Sequence, residues 1–291
     1  VPIDSTESNA DHNTYVFDAE STTELSRLMT QDRITTQAMG GSFSGLTNEE
    51  VEGLHNVLDV ACGPGGWVLD AAFAYPDIQV AGIDISTIMV HYANTRASSQ
   101  GLSNASFGVM DITQPLDFAS GAFDLVNVRF VGGVLLRDAW APFVAECTRL
   151  LHPGGILRLT EAIDWGVSTT PAFEQMGALL NQALWRTKHG FSPDGRTVGL
   201  TPMLPTLLRA AGYQNIQIKA HVLDQSAGAP AWVDSYRNYE AAYAQLQPLF
   251  VKTGLITKED VEQLYQQLLA EIHSDDFRAM WNFMTAWGTK A

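Results

Sequence analysis

Only two of the 291 residues are cysteines, too few for a disulfide framework, so Cys62 and Cys147 are expected as free thiols in a reducing compartment. Basic residues are also scarce: 17 Lys and Arg stand against 32 Asp and Glu, a formal net charge of −15. Proteins that grip nucleic acid neutralise its phosphates with clustered Lys and Arg. With no such cluster here, no nucleic-acid partner is expected. No apolar run reaches the roughly 18 residues of a membrane-spanning helix. No Cys/His grouping has metal-ligand spacing, so no metal is expected. Repeats and low-complexity tracts are absent. Val1–Glu7 is polar and lacks the basic and apolar regions of a signal peptide, and its opening Val reads as a trimmed or recombinant start; a cytoplasmic protein is expected. The acid excess is concentrated early. Residues 1–53 hold ten acids against Arg27 and Arg33, a net of −8, which reads first as a solvated surface.

What the chain does have is a strand that runs into a glycine turn. Val57, Leu58 and Val60 form an apolar strand interrupted by Asp59, and Gly63, Gly65 and Gly66 follow before an apolar helix. Glycines in such a turn let the chain reverse and let a ligand approach its backbone. The helix beyond presents unpaired N–H groups and the positive end of its dipole. A dinucleotide fingerprint would place a third glycine where Val68 stands. Asp59 also sits where it would repel a pyrophosphate, whereas it suits a ligand carrying a sulfonium and an ammonium. A second apolar strand, Gln79–Ile83, ends in Asp84, 19 residues beyond Gly65. An acid there can accept both hydroxyls of a ribose, whichever cofactor carries it. Ser86 is better placed than Asp84 to cap the next helix.

Asp59-x-Ala61-x-Gly63-x-Gly65, Asp84, Phe107–Ile112, Phe123–Phe130 and Arg149–Glu161 follow in order and at ordinary spacing. Together, from about Val51 to Asp164, they resemble the class I S-adenosylmethionine-dependent methyltransferases, in the quinone-biosynthesis and natural-product branch. One departure is Ala61, where glycine is more common. The resemblance implies an α/β fold with a doubly wound, mostly parallel seven-stranded sheet of order 3-2-1-4-5-7-6, its last strand antiparallel. It implies S-adenosyl-L-methionine as cofactor, held by Tyr15, Asp59, Ala61, Gly63, Gly65, Asp84, Ile85, Met110, Asp111, Ile112, Asn127, Val128 and Arg129. Asp111 would meet the adenine amino group, with Met110 and Ile112 on the ring.

The rest of the chain carries no signature of a named substrate. Residues 1–50 read as a helical extension or lid over a core of 51–291, with helical insertions at about 165–200 and 231–278. Residues 1–13 read as loose. Ser21 and Glu24 form an expected capping box for a helix running to Met39, with Leu25, Leu28 and Met29 on one face. Helices are expected near residues 66–75, 87–100 and 139–151, over Pro171–Lys188 and Thr201–Gly212, and after Thr257; later strands over Asn215–Val222 and Phe283–Lys290. Ligands of doubly wound sheets bind beyond the C-terminal strand ends. That brings Asn127, Arg129 and Phe130 to the reacting centre and Glu161, Asp164 and Trp165 to its rim. His12, His189 and Asp164 are the candidate bases, and His189, Asp164 and Arg129 the catalytic candidates. The added segments are rich in aromatics (Tyr15, Phe43, Trp165, Trp185, Phe191, Trp232, Tyr236, Tyr239), which suits an apolar or aromatic small-molecule acceptor. A homodimer is compatible with this reading. The expected activity is methyl transfer to O, C or N. Three alternatives stay open: the same fold catalysing a cyclisation or isomerisation, a non-catalytic scaffold, and an NAD-dependent oxidoreductase.

Overall fold

A computed structural model of the protein describes residues 14–291, so His12 and the stretch expected to be loose lie outside the described residues. Strands β1 (Asn56–Val60), β2 (Gln79–Asp84), β3 (Ala105–Val109), β4 (Phe123–Arg129) and β5 (Leu151–Ala162) pair in parallel in the order β3-β2-β1-β4-β5. Val57, Leu58 and Val60 are fully buried because helices cover both faces of such a sheet. The crossovers are α3 (Gly66–Ala74), α4 (Thr87–Gln100) and α5 (Trp140–Leu150). β8 (Ala279–Lys290) inserts antiparallel beside β5, and β7 (Tyr213–Asp224) pairs antiparallel on its far side. The expected seven-strand order is therefore present. An eighth strand, the two-residue β6 (Val167–Ser168), adds to the start of β8.

Helices α1 (Thr22–Met39), α6 (Pro171–Arg186), α8 (Trp232–Lys252) and α9 (Lys258–Ile272) form a second layer, α1 packing on α8, and α6 and α8 on each other and on α9. Two shorter helices are α2 (Asn48–Glu52), which precedes β1, and α7 (Leu204–Ala210), which packs on β7, β8 and α5. Glu271 of α9 accepts from the Ala172 and Phe173 N–H groups at 3.0–3.1 Å, placing a carboxylate on the positive end of α6.

Three local expectations need correction. Ser21 does cap α1, accepting from Thr23 N–H, but Glu24 does not close a capping box: it is fully buried in an ion pair with Arg27. The buried positions of α1 are Glu24, Arg27, Ile34, Thr35, Thr36 and Met39 rather than Leu25, Leu28 and Met29, because this helix covers a polar site. The reciprocal capping box lies instead at Thr47 and Glu50. Strand β3 ends at Val109, so Met110, Asp111 and Ile112 stand in the loop beyond it.

Candidate active site

The turn after β1 passes through left-handed backbone three times, at Ala61 (φ 57°), Gly63 (φ 53°) and Gly65 (φ 76°). The two glycines meet that demand freely; Ala61 does not, which explains why glycine is the commoner residue there. A Cβ at Gly65 would lie 2.5 Å from the Phe107 ring and 2.8 Å from Ala93, so this glycine lets the loop close on its neighbours. Gly63 N–H donates to Asp84 Oδ2 at 2.8 Å, and Ser86 N–H donates to Oδ1 at 2.9 Å. Ser86 takes the capping role on α4, its Oγ accepting from Met89 N–H. Asp84 is thereby held at the tip of β2, tied to the glycine turn. Burial raises its pKa, and the backbone N–H groups oppose that rise.

Asp59 and Asn127 face each other in register across β1 and β4. Asn127 Nδ2 donates to Asp59 Oδ1 at 2.7 Å, and Asn127 Oδ1 accepts from Arg158 at 2.7 Å. Burial pushes the Asp59 carboxyl up to about 7, against the pull of Arg129 and the Asn127 hydrogen bond. Burial, reinforced by the neighbouring positive charge of Arg129, pushes Arg158 down to about 9. Arg129 ion-pairs with Asp32 of α1, donates to Thr36 Oγ1 at 3.1 Å and stands 6.0 Å from the Trp67 ring. A Cβ on Gly66 would overlap the Asp32 carboxylate, which therefore sits against the first turn of α3.

These groups surround one cavity of about 1700 Å³, counting its open mouth. Tyr15, Asp59, Ala61, Gly63, Asp84, Ile85, Asp111, Ile112 and Arg129 all line it. Gly65, Met110, Asn127 and Val128 do not; Asn127 instead acts from behind, on Asp59. His189 lies outside the lining, with Thr187 Oγ1 at 2.9 Å from Nδ1 and the Thr14 carbonyl at 3.1 Å from Nε2. Both ring nitrogens are engaged, and burial lowers its pKa. Asp164 is also outside: its oxygens accept from Gly166 N–H and Asn282 Nδ2, tying the β5 exit to β8. Among the described residues no histidine lines the cavity.

Residues 57–155 match the family model of a methyltransferase domain, and they contain the glycine turn, Asp59, Asp84 and Asp111. The chain carries a methyltransferase domain. Ajmaline N-methyltransferase of Rauvolfia serpentina is 49% identical to it over 72 residues, 24% of this chain and 24% of that one. The malonyl-(acyl-carrier protein) O-methyltransferase of Legionella pneumophila is 39% identical over 104 residues, 36% of this chain and 35% of that one. The chain thus spans about a quarter to a third of the length of these curated relatives. A solved structure of a candidate methyltransferase from Bacillus halodurans C-125 shares the fold, with a TM-score of 0.50 at 17% identity, covering 89% of this chain and 97% of that one.

The methyltransferase domain is closed over by α1 and α8. Glu24 accepts from Arg27, from Tyr15 Oη at 2.7 Å and from Gln245 at 3.0 Å, while Arg27 also reaches Asn238 Oδ1 at 3.1 Å. Of the eight aromatics singled out in the sequence, Tyr15, Trp165 and Tyr239 line the cavity. Phe43 packs on Trp67 and Tyr75, Trp185 is partly exposed, and Trp232 and Tyr236 pack on each other, with Tyr236 also against His273. Phe17, Tyr243 and Trp281 take their place, beside Phe130, which holds a left-handed φ of 57° and stacks on Trp281 at 5.4 Å. Sequence reasoning also missed Arg27, Gln31 and Thr35, whose spacing of four puts them on one face of α1. That polar stripe was the available signal.

Proposed function

We propose that this protein binds S-adenosylmethionine and catalyses transfer of its methyl group to a small apolar or aromatic acceptor. The observation that carries this reading is the joint placement of Asp59 and Asp84 at the ends of adjacent strands, one cavity touching both. Five acids line that cavity (Asp32, Asp59, Asp84, Asp111 and Glu161) against two guanidinium groups, Arg27 and Arg129, and each guanidinium is already ion-paired. This acid-rich lining fits a cationic adenosyl ligand and disfavours a pyrophosphate. When bound, the cofactor supplies a methyl group on a positively charged sulfur, open to in-line displacement by a nucleophile.

The residues divide the task by position. Asp84 would accept from ribose hydroxyls, Asp111 and Ile112 would meet the base, and Asp59 would face the positive charge. Phe130, Trp165, Tyr239 and Trp281 form walls at the other end for an apolar acceptor, and α1 with α8 restricts water. The protein's contribution is alignment and dehydration.

Calorimetric titration with S-adenosylmethionine and S-adenosylhomocysteine tests the reading, with Asp84→Ala as control. Binding by the parent and a loss of at least about tenfold in the variant is expected, as for a hydrogen bond to a charged group. No binding at millimolar ligand would overturn it.

A further inference from the structure

Glu161 stands at the end of β5, lines the cavity and is 5% exposed. Its Oε1 accepts from Val131 N–H at 2.7 Å and Gly132 N–H at 3.0 Å. Oε2 has no hydrogen-bond partner among the described residues. The loop wraps this carboxyl closely: a Cβ on Gly132 would stand 3.1 Å from Oε2 and 2.8 Å from Leu200. Among the described residues no free cation lines the cavity to offset it, since Arg27 is paired with Glu24 and Arg129 with Asp32. Val131, Val134, Trp165, Leu180 and Leu246 line the same cavity. A buried acid with one oxygen fixed and the other open is a costly arrangement unless a donor arrives with the ligand.

We propose that Glu161 anchors the N–H of an amine on an apolar acceptor, and so makes the pocket select amine-bearing over carboxylate-bearing acceptors. This rests on the methyl-transfer reading above and names its substrate class. A carboxylate or phosphate at the same place would meet the Glu161 carboxylate with no free cation among the described residues to share. An amine supplies the missing donor, and its frame occupies the aromatic walls. Burial alone pushes the Glu161 carboxyl up to about 8, the two backbone N–H groups only partly opposing it, as expected for an acid whose counter-group is absent.

The test uses two shape-matched probes, naphthalenemethylamine and naphthoate, titrated calorimetrically at about pH 9, where a carboxyl raised to about 8 is ionised, into the full chain saturated with S-adenosylhomocysteine. The amine is expected to bind about 10- to 100-fold more tightly than the carboxylate. In Glu161→Gln the ratio should fall toward one while S-adenosylhomocysteine affinity stays unchanged. Gln keeps the acceptor that Val131 and Gly132 need, so the loop has no reason to open. A purely structural role would weaken both probes alike and leave the ratio intact; that result overturns the proposal. Equal binding of the two probes by the parent, or binding of neither to protein that holds S-adenosylhomocysteine, overturns it as well. Failure to bind S-adenosylhomocysteine would instead strike at the methyl-transfer reading.

Discussion

Asn127 bridges Asp59 and Arg158, donating to one at 2.7 Å and accepting from the other at 2.7 Å within the buried sheet. An amide is the side chain that can serve both, because it carries a donor and an acceptor at one end. Arg158 extends the chain to the Ser44 carbonyl at 3.0 Å. The acid facing the cavity is thus positioned by a side chain that does not itself line the cavity.

Asn127→Leu should strip both charges of their partner. Leaving buried ions unpaired costs about 3–5 kcal/mol, which would appear as a large fall in the urea midpoint. A loss under about 1 kcal/mol, the size of one ordinary hydrogen bond, would show that the bridge contributes little.

Ala61 holds a φ of 57° that glycine adopts without strain. Ala61→Gly should raise stability by up to about 1 kcal/mol, since relief of the left-handed backbone outweighs the added freedom of the unfolded chain. Thermal melts of the two proteins at one pH decide it, and a lower melting temperature for the glycine variant would contradict it.

Asp59, pushed up to about 7 by burial, is largely protonated at pH 6. A cationic ligand favours its ionised form, so binding must expel the proton below that value. Affinity for S-adenosylmethionine should rise as pH climbs from 6 to 7, by at most about tenfold per unit, and level off above. Calorimetry in two buffers of different ionisation enthalpy would register the released proton. Asp59→Asn should abolish the slope along with much of the affinity.

Glu161 gives a stability prediction of definite sign. Its folded value of about 8 lies above the ordinary 4.5, so between these values the native state holds a proton that the unfolded chain has released. The group's favourable contribution is full below 4.5 and is lost as pH rises to 8. Glu161→Gln removes that loss. The variant should therefore gain on the parent with rising pH, by at most about 1.4 kcal/mol per unit. Parallel denaturation curves at pH 5, 7 and 9 measure it, and a gap that stays constant would contradict it.

Much of the core was legible because its elements are local. Asp59 and Asp84 each follow a short apolar run, and the intervening glycines announce a turn whatever surrounds it. Strand order followed from the resemblance, and the boundaries of α3 and α4 from their caps and glycines. The acceptor end was less legible. Trp185 and Tyr236 look like Trp165 and Tyr239 in a list of residues, yet only the latter pair reaches the cavity. His189 reads as a base until Thr187 and the Thr14 carbonyl are seen on its two nitrogens. Glu24 has the spacing of a cap but is drawn inward by Arg27 and by Gln245, more than 200 positions away.

By itself the sequence determined the methyltransferase-type core, because hydrophobic period, glycine positions and strand-end acids act over a few residues. Only the tertiary structure decided which charges are compensated. The pairing of Arg129 with Asp32 and of Arg27 with Glu24, and the open oxygen of Glu161, depend on how α1, α8 and the loop after β4 close over the sheet. In a buried site the energy of a charge is set by what faces it across space, and no spacing along the chain encodes that directly.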